Sequence, residues 1–400
     1  MDFNLLLLEG RSFPSSTREC AALGVPLEFR NGRGDFLFRL EGFRPLPARR
    51  LSRAAEECGA PARLGGPSEA RTLAACVPSA AVWSRLRRRL LRGAPPLPAV
   101  AREIRSALRA VSHPPRSLLL RRRRLRLGRR TLIRGVLNVT PDSFYDGGLH
   151  ADPQRAVDRA LQMEEEGAGL VDIGGESTRP GSRAVPAQEE IRRILPVIEA
   201  LSGRLRVPIS VDTTKSEVAA AALEAGAEVI NDVSGLSFDS RMAGVAARRG
   251  AGLILSHIQG RPRTMQKDPR YRHLLPEVLA FLRGGVRRAL KAGVKPGAIL
   301  IDPGIGFGKT AEQNLLLLRH LRVLRAAGYP VMVGASRKSF LAKIEGGRDP
   351  EDRLGGSLGA AAAAIWCGAS ALRVHDVAAS VRIARTVEAV RDVRVDRDEG

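Results

Sequence analysis

The stretch "VPISVDTTKSEVAAAALEAGAEVINDV", residues 207–233, contains two short apolar runs separated by one helical stretch. "VPISVDT" and "AEVINDV" are near-continuously apolar, as strands buried on both faces should be. Between them "SEVAAAALEAGA" reads as a helix, with Ser216 as the expected N-cap and Gly226 as the stop. The same rhythm of apolar run, polar turn and helical stretch fills the chain from residue 131 onward. The other runs are "LIRGVLN" (132–138), "GLVDIGG" (169–175), "GLILSHI" (252–258), "GAILIDP" (297–303), "YPVMVGA" (329–335) and "ALRVHDV" (371–377). A further helix, "QRAVDRALQMEEEGA", puts Ala156, Ala160 and Met163 on one face and closes at Gly167. Eight strands alternating with helices over roughly 270 residues predict a (β/α)8 TIM barrel. The competing fold is a doubly wound open sheet, which the lack of a glycine-rich dinucleotide turn after the first strand disfavours.

Ahead of the barrel, "SLLLRRRRLRLGRRTLIRG" alternates Arg and Leu around Gly128, a hairpin pattern. Its leucines are expected to cover the barrel floor and its arginines to face water. Residues 1–114 differ in character. "FLFRLEG" (36–42) reads as a strand, and "SAAVWSRLRRRLLRG" as a helix that starts at Ser79, stops at Gly93 and places Val82, Trp83, Leu86 and Leu90 on one face. "PAVAREIRSALRAV" aligns Val100, Ile104, Leu108 and Val111. These features predict an accessory α/β or α-rich domain over 1–114, the linker "SHPPR" (112–116), and the barrel over 115–400. The accessory part shows no catalytic constellation.

The net charge of +23 raises the question of nucleic acid. Residues 1–114 carry +9 (19 basic against 10 acidic side chains), residues 115–130 carry +8 from eight arginines, and residues 131–400 carry +6 (38 against 32). The excess is therefore N-terminal and almost entirely arginine, and no binding module accompanies it, so nucleic acid is not the expected partner. No apolar run reaches the ~20 residues of a membrane span. "MDFNLLLLEG" lacks the basic start and long apolar stretch of a signal peptide. Cys20, Cys58, Cys76 and Cys367 form no CxxC pair, so neither a zinc site nor a disulfide framework is indicated, and a cytoplasmic location is expected.

"IDPGIGFGKT" (301–310) resembles a nucleotide phosphate loop at its end, Gly308-Lys309-Thr310. The motif needs a glycine five residues before Gly308, where Pro303 stands, so ATP binding is excluded on pattern. Barrels place their chemistry at the C-terminal strand ends. Those ends carry Asn138, Asp172 with Glu176, Thr178 and Arg179, then Asp212, Asn231, His257, Asp302, Lys338, Arg373 and His375. Any one of them has a scaffolding explanation. Together, at the ends of apolar strands, they call for a ligand, because an unpaired buried polar group costs about 1–3 kcal/mol.

Seven ordered segments carry a family resemblance: "LNVTPDSFYDGG" (137–148), "GGESTRPG" (174–181), "VDTTKSEV" (211–218), "INDVSG" (230–235), "IDPGIGFGKT", "GASRKSFL" (334–341) and "RVHDV" (373–377). Over about residues 118–395 the chain resembles the dihydropteroate synthases of folate biosynthesis. Such transferases join 6-hydroxymethyl-7,8-dihydropterin diphosphate to 4-aminobenzoate and release pyrophosphate. The resemblance implies that Asp302, Asn231, Lys338 and Asp212 bind the pterin. It implies that Arg373 and His375 bind the diphosphate with Thr178, that Arg179 is a further substrate-binding residue, and that Asn138 associates with magnesium (Mg2+). It makes Phe144, Pro180, Phe307 and Ser336 candidates for the aminobenzoate pocket, with Asp212, Lys338, Arg373 and His375 the expected catalytic groups. It also implies a homodimer and competition by sulfonamides, which mimic 4-aminobenzoate. Three departures stand out: Arg134 where an apolar residue is common, Tyr145 where a small residue is frequent, and "SHIQG" (256–260). A pterin-dependent methyltransferase on the same barrel, a non-enzymatic pterin binder and a fused pterin pyrophosphokinase in residues 1–114 are the alternatives. The first has no need of Arg373, His375 or "SRKS", intact loops count against the second, and the third lacks an acidic metal cluster.

Overall fold

The computed structural model describes residues 4–9, 36–43, 45–65, 71–77, 79–140, 153–346, 349 and 353–393. The chain separates into two compact units. The first gathers Met1–Pro114 with Tyr271–Ala280 and Arg319–Tyr329, and the second holds the remaining residues.

In the first unit, β1 (Asn4–Glu9), β2 (Phe36–Phe43), β3 (Ala62–Gly65) and β4 (Arg71–Val77) form an antiparallel sheet in the order β1-β2-β4-β3. Helices α1 (Pro45–Glu57), α2 (Ala80–Arg92) and α3 (Leu97–Ser112) complete it. Alternation sends Phe36, Phe38 and Leu40 of β2 into one core with Leu51, Leu86 and Ile104. The Phe36 ring meets Trp83 edge-on at 5.5 Å. Ser79 caps α2 as its position predicts, accepting from the Val82 N–H at 3.3 Å, and Gly93 ends it.

The second unit is the expected barrel. Its eight strands are β7 (Leu132–Asn138), β8 (Leu170–Gly174), β9 (Ile209–Asp212), β10 (Val229–Asp232), β11 (Gly252–Ser256), β12 (Ile299–Asp302), β13 (Met332–Val333) and β14 (Ala371–Val374). All pair in parallel, with β14 beside β7, and the ring closes where Ile301 bridges to Val331. The helices between and after them are α4 (Pro153–Glu165), α5 (Ala187–Leu201), α6 (Ser216–Ala225), α7 (Met242–Arg249), α8 (Leu274–Lys291), α9 (Ala311–Arg319), α10 (Ser339–Glu345), α11 (Leu354–Trp366) and α12 (Val377–Asp392). Among the described residues no helix is long and apolar enough to cross a membrane.

Preceding the barrel, β5 (Ser117–Leu119) and β6 (Arg124–Arg126) form an antiparallel hairpin. Its Leu118 and Leu120, with Leu127, pack on Leu170, Val229, Met332 and Ala371, the first residues of their strands, and so plug the floor. Each buried leucine contributes about 1.5–3 kcal/mol.

Two local expectations are corrected. The hairpin reverses over Leu120–Arg123, where the Leu120 N–H meets the Arg123 carbonyl at 2.9 Å. Gly128 instead serves the next turn, at φ 103°. The N-cap of α6 is Lys215, and Ser216 is the first helical residue. A carboxylate from elsewhere does the capping: Asp239 Oδ2 accepts the Ser216 N–H at 2.9 Å.

Candidate active site

Six strands bring charged or amide groups to the C-terminal mouth of the barrel. Arg373 of β14 divides its guanidinium between two carboxylates. Its Nε donates to Asp172 Oδ2 of β8 at 2.7 Å, and its Nη2 donates to Asp212 Oδ2 of β9 at 2.6 Å. Asn231 of β10 donates its amide to Asp212 Oδ1 at 2.9 Å. The other amide atom, Asn231 Oδ1, is buried without a hydrogen-bond partner among the described residues. A bound molecule with an N–H would satisfy it. Burial pushes the Asp212 carboxyl up to about 6, against the pull of Arg373. Burial alone would raise Asp172 too, but the guanidinium groups of Arg134 and Arg373 outweigh it and hold that carboxyl low.

Asp302 ends β12, and its glycine-rich sequel wraps Lys338. Asp302 Oδ1 accepts the Gly304 N–H at 2.7 Å. Gly304 is required: its φ is 65°, and a Cβ there would lie 1.8 Å from the His257 carbonyl oxygen. Lys338 Nζ donates to the Ile305 carbonyl and stands 4.2 Å over the Phe307 ring, a cation–π contact. Burial raises Asp302 against the charge of Lys338, and burial lowers Lys338 to about 8 against the charge of Asp302. The lysine of "GKT" does not face the mouth. Lys309 is buried beneath the loop, donating to the Gly304 carbonyl at 2.9 Å and the Phe307 carbonyl at 3.0 Å.

Around the rim, His375 follows directly after β14, and its Nδ1 lies 3.0 Å from Ser336 Oγ. Burial, then the nearby Arg373, lowers His375 to about 3. It is therefore a neutral hydrogen-bonding imidazole and not a second positive charge. Between Ser336 and Lys338, Arg337 has φ 56°, in the left-handed region, held by a fork of bonds to both oxygens of Asp376 at 3.0 and 2.5 Å. This strained turn aims its two neighbours at the mouth. Thr178 lines a cavity of about 820 Å³ with Asp212, Lys215 and Phe238. Arg179 and Pro180 are exposed on the loop after β8. Phe144 and Tyr145 lie outside the described residues.

With this arrangement in place, residues 134–375 match the model of the pterin binding enzyme family. The chain belongs to that family. The dihydropteroate synthase of Synechocystis sp. is 47% identical over 263 residues, covering 66% of this chain and 91% of the relative. Two solved structures from Xanthomonas albilineans are similar in fold as well. The dihydropteroate synthase with 4-aminobenzoic acid has a TM-score of 0.66 and 44% identity, covering 70% of this chain and 99% of that one. The enzyme with 7,8-dihydropteroate has a TM-score of 0.63 and 41% identity, with coverages of 70% and 100%. The family match does not include residues 1–114.

Against the pterin-binding frame, the structure groups Asp212, Asn231 and Arg373 in one network, sets Lys338 over Phe307 with its charge acting on Asp302, and joins Ser336 to His375. Among the described residues no cluster of three His, Cys, Asp or Glu groups could hold a metal. Asn138, half-buried at the end of β7, offers one neutral oxygen donor. Such a donor fits a magnesium ion held chiefly by substrate phosphates and water, and does not fit an all-protein cage. Lys309, Arg337 and the buried pairing of Arg134 with Asp172 were not assigned roles from sequence. The signal for the last was present: an arginine in a strand apolar on both faces needs a carboxylate in the same barrel layer.

Proposed function

We propose that the chain is a dihydropteroate synthase, a transferase that condenses 6-hydroxymethyl-7,8-dihydropterin diphosphate with 4-aminobenzoate. The observation that carries the reading is the buried Asn231 Oδ1, partnerless among the described residues, beside Asp212, with Asp302 and Lys338 in electrostatic reach of each other at the same mouth. Asp302 is an acceptor for the pterin 2-amino and N3 hydrogens. Asn231 keeps Oδ1 free, and Lys338 donates toward the pterin oxygen and N5. The relatives and the two ligand-bound structures support the same assignment.

The reaction follows from charge. The bond from the exocyclic carbon to the diphosphate oxygen breaks, its electron pair leaving with pyrophosphate. Positive charge spreads into the ring, where the carboxylate of Asp212 stabilises it. The aryl amine then attacks the carbon and releases a proton to solvent. No covalent enzyme intermediate is needed. Arg373, neutral His375 and Thr178 receive the departing anion. Magnesium, when bound, offsets diphosphate charge, and Asn138 would hold it. Phe307, Ser336, Pro180 and Phe144 are proposed for the aminobenzoate side, and Arg179 as a further substrate contact. Residues 1–114 are proposed as an accessory domain, and a homodimer as the assembly. A coupled pyrophosphate assay tests the reading: release should depend on 4-aminobenzoate. Release of pyrophosphate at the same rate without it, or none with both substrates, would contradict the assignment.

A further inference from the structure

Arg134 stands within β7 and none of its side chain reaches solvent; it is the largest fully buried side chain among the described residues. Taking a guanidinium out of water costs several kcal/mol unless partners replace the water. Here they do. Nη2 donates to Asp172 Oδ1, Nε donates to Ser210 Oγ at 3.2 Å, and Nη1 lies 3.3 Å from Met332 Sδ. Ser210 Oγ in turn donates to the same Asp172 Oδ1 at 2.6 Å. Oδ1 of Asp172 is thus taken by Arg134 and Ser210, and Oδ2 alone remains for Arg373. A guanidinium beside a lone carboxylate tends to close both arms of its fork upon it. With Oδ1 occupied, Arg373 places only Nε on Asp172, and its Nη2 reaches Asp212.

We propose that Arg134 is a positioning residue for the reaction: by occupying Asp172 Oδ1 it splits the Arg373 fork and keeps one arm on Asp212. The proposal rests on the reading of Arg373 and Asp212 as substrate contacts. Without Arg134, two buried carboxylates share one guanidinium, and Arg373 closes on Asp172. Asp212 is then left with Asn231 from β10, the carboxylates of Asp172 and Glu190, and Lys338 across the mouth. Its nearest cation has withdrawn, and it holds its proton to higher pH.

The test compares wild type with Arg134→Met and Arg134→Lys by crystallography and steady-state kinetics. In Arg134→Met, both Arg373 arms are expected on Asp172, with Nη2 beyond hydrogen-bond reach of Asp212. Its kcat should fall on the order of tenfold to a hundredfold, as for a misaimed site. The 4-aminobenzoate KM should stay unchanged, and the acid limb of the rate profile should move up. Arg134→Lys keeps a cation on Asp172 Oδ1 and should restore the divided fork and most of kcat. An Arg373 fork still divided in Arg134→Met, or kinetics matching wild type, would overturn the proposal. If Arg134→Met does not fold, the lysine variant decides, since loss of the Arg373–Asp212 bond there also overturns it. If wild type shows no turnover, the functional reading falls, while the two variant structures still judge the geometry.

Discussion

Lys309 Nζ lies 2.9 Å from His257 Nδ1, and both side chains are buried. Burial, with Lys309 alongside, holds the imidazole well below its ordinary range, so it is neutral. The same Nζ ties down two carbonyls of the loop that follows Asp302. A residue that looks like a phosphate ligand in sequence is thus a clamp on the loop that follows Asp302, the side of the mouth proposed for the pterin.

Lys309→Met keeps the length of the side chain and removes its donors. Two carbonyls and an imidazole nitrogen then lose a partner, at about 1–3 kcal/mol for each left unsatisfied. A thermal melt should shift downward by several degrees, and pterin affinity should drop although Asp302 is untouched. Wild-type values in both measurements would contradict the clamp.

Asp212 is pushed up to about 6 by burial, in spite of Arg373. In the proposed mechanism the ionised carboxylate stabilises the pterin cation, so the protonated form is the inactive one. The value of kcat/KM should therefore fall as pH drops through about 6, hold between about 6 and about 8, and fall again as Lys338 loses its proton through about 8, as free-enzyme groups govern that ratio. His375, lowered to about 3, is neutral across this range and adds no limb of its own. Asp212→Asn should abolish the acid limb along with most of the rate; an acid limb that persists in this variant must come from another group.

Pyrophosphate release should stop when a chelator removes magnesium. Asn138→Ala should raise the magnesium concentration needed for half-maximal rate, because only one protein donor is proposed for the ion. Arg373→Ala should lower kcat/KM by at least a hundredfold, since it strips a cation from two buried carboxylates as well as from the leaving group. Chelator-insensitive turnover would exclude the metal role of Asn138.

Much of this architecture was legible in the chain. Strands buried on both faces must be continuously apolar, so the eight runs declared themselves, and polar residues ending them marked the mouth. What escaped is set by tertiary contacts. The reversal at Leu120–Arg123 and the capping of α6 by Asp239 depend on which partner the fold brings near. The pairings of Arg134 with Asp172 and of Lys309 with His257 join residues 38 and 52 positions apart. The left-handed Arg337 is held by the bonds it donates to Asp376, a long-range partner that no local propensity reveals.

The first unit yields a prediction about truncation. Within it, the 3-10 helix Leu321–Ala327 packs with α3, and Ala326 belongs to its core. Every described site residue belongs to the second unit. A chain of residues 115–400 should therefore melt at a lower temperature, because Ala326 loses its core, while each folded molecule keeps most of its turnover. Folded protein with intact pterin binding and no turnover would show that residues 1–114 take part in catalysis.

Calorimetric titration of the wild type and Asp302→Asn with the pterin substrate tests the central claim, that Asp302 reads the pterin edge. The substitution turns one acceptor into a donor facing a donor edge, at about 2–4 kcal/mol. Affinity should weaken by roughly 30-fold to 1,000-fold, with circular dichroism unchanged. Affinity within about threefold of wild type in a natively folded variant would contradict it.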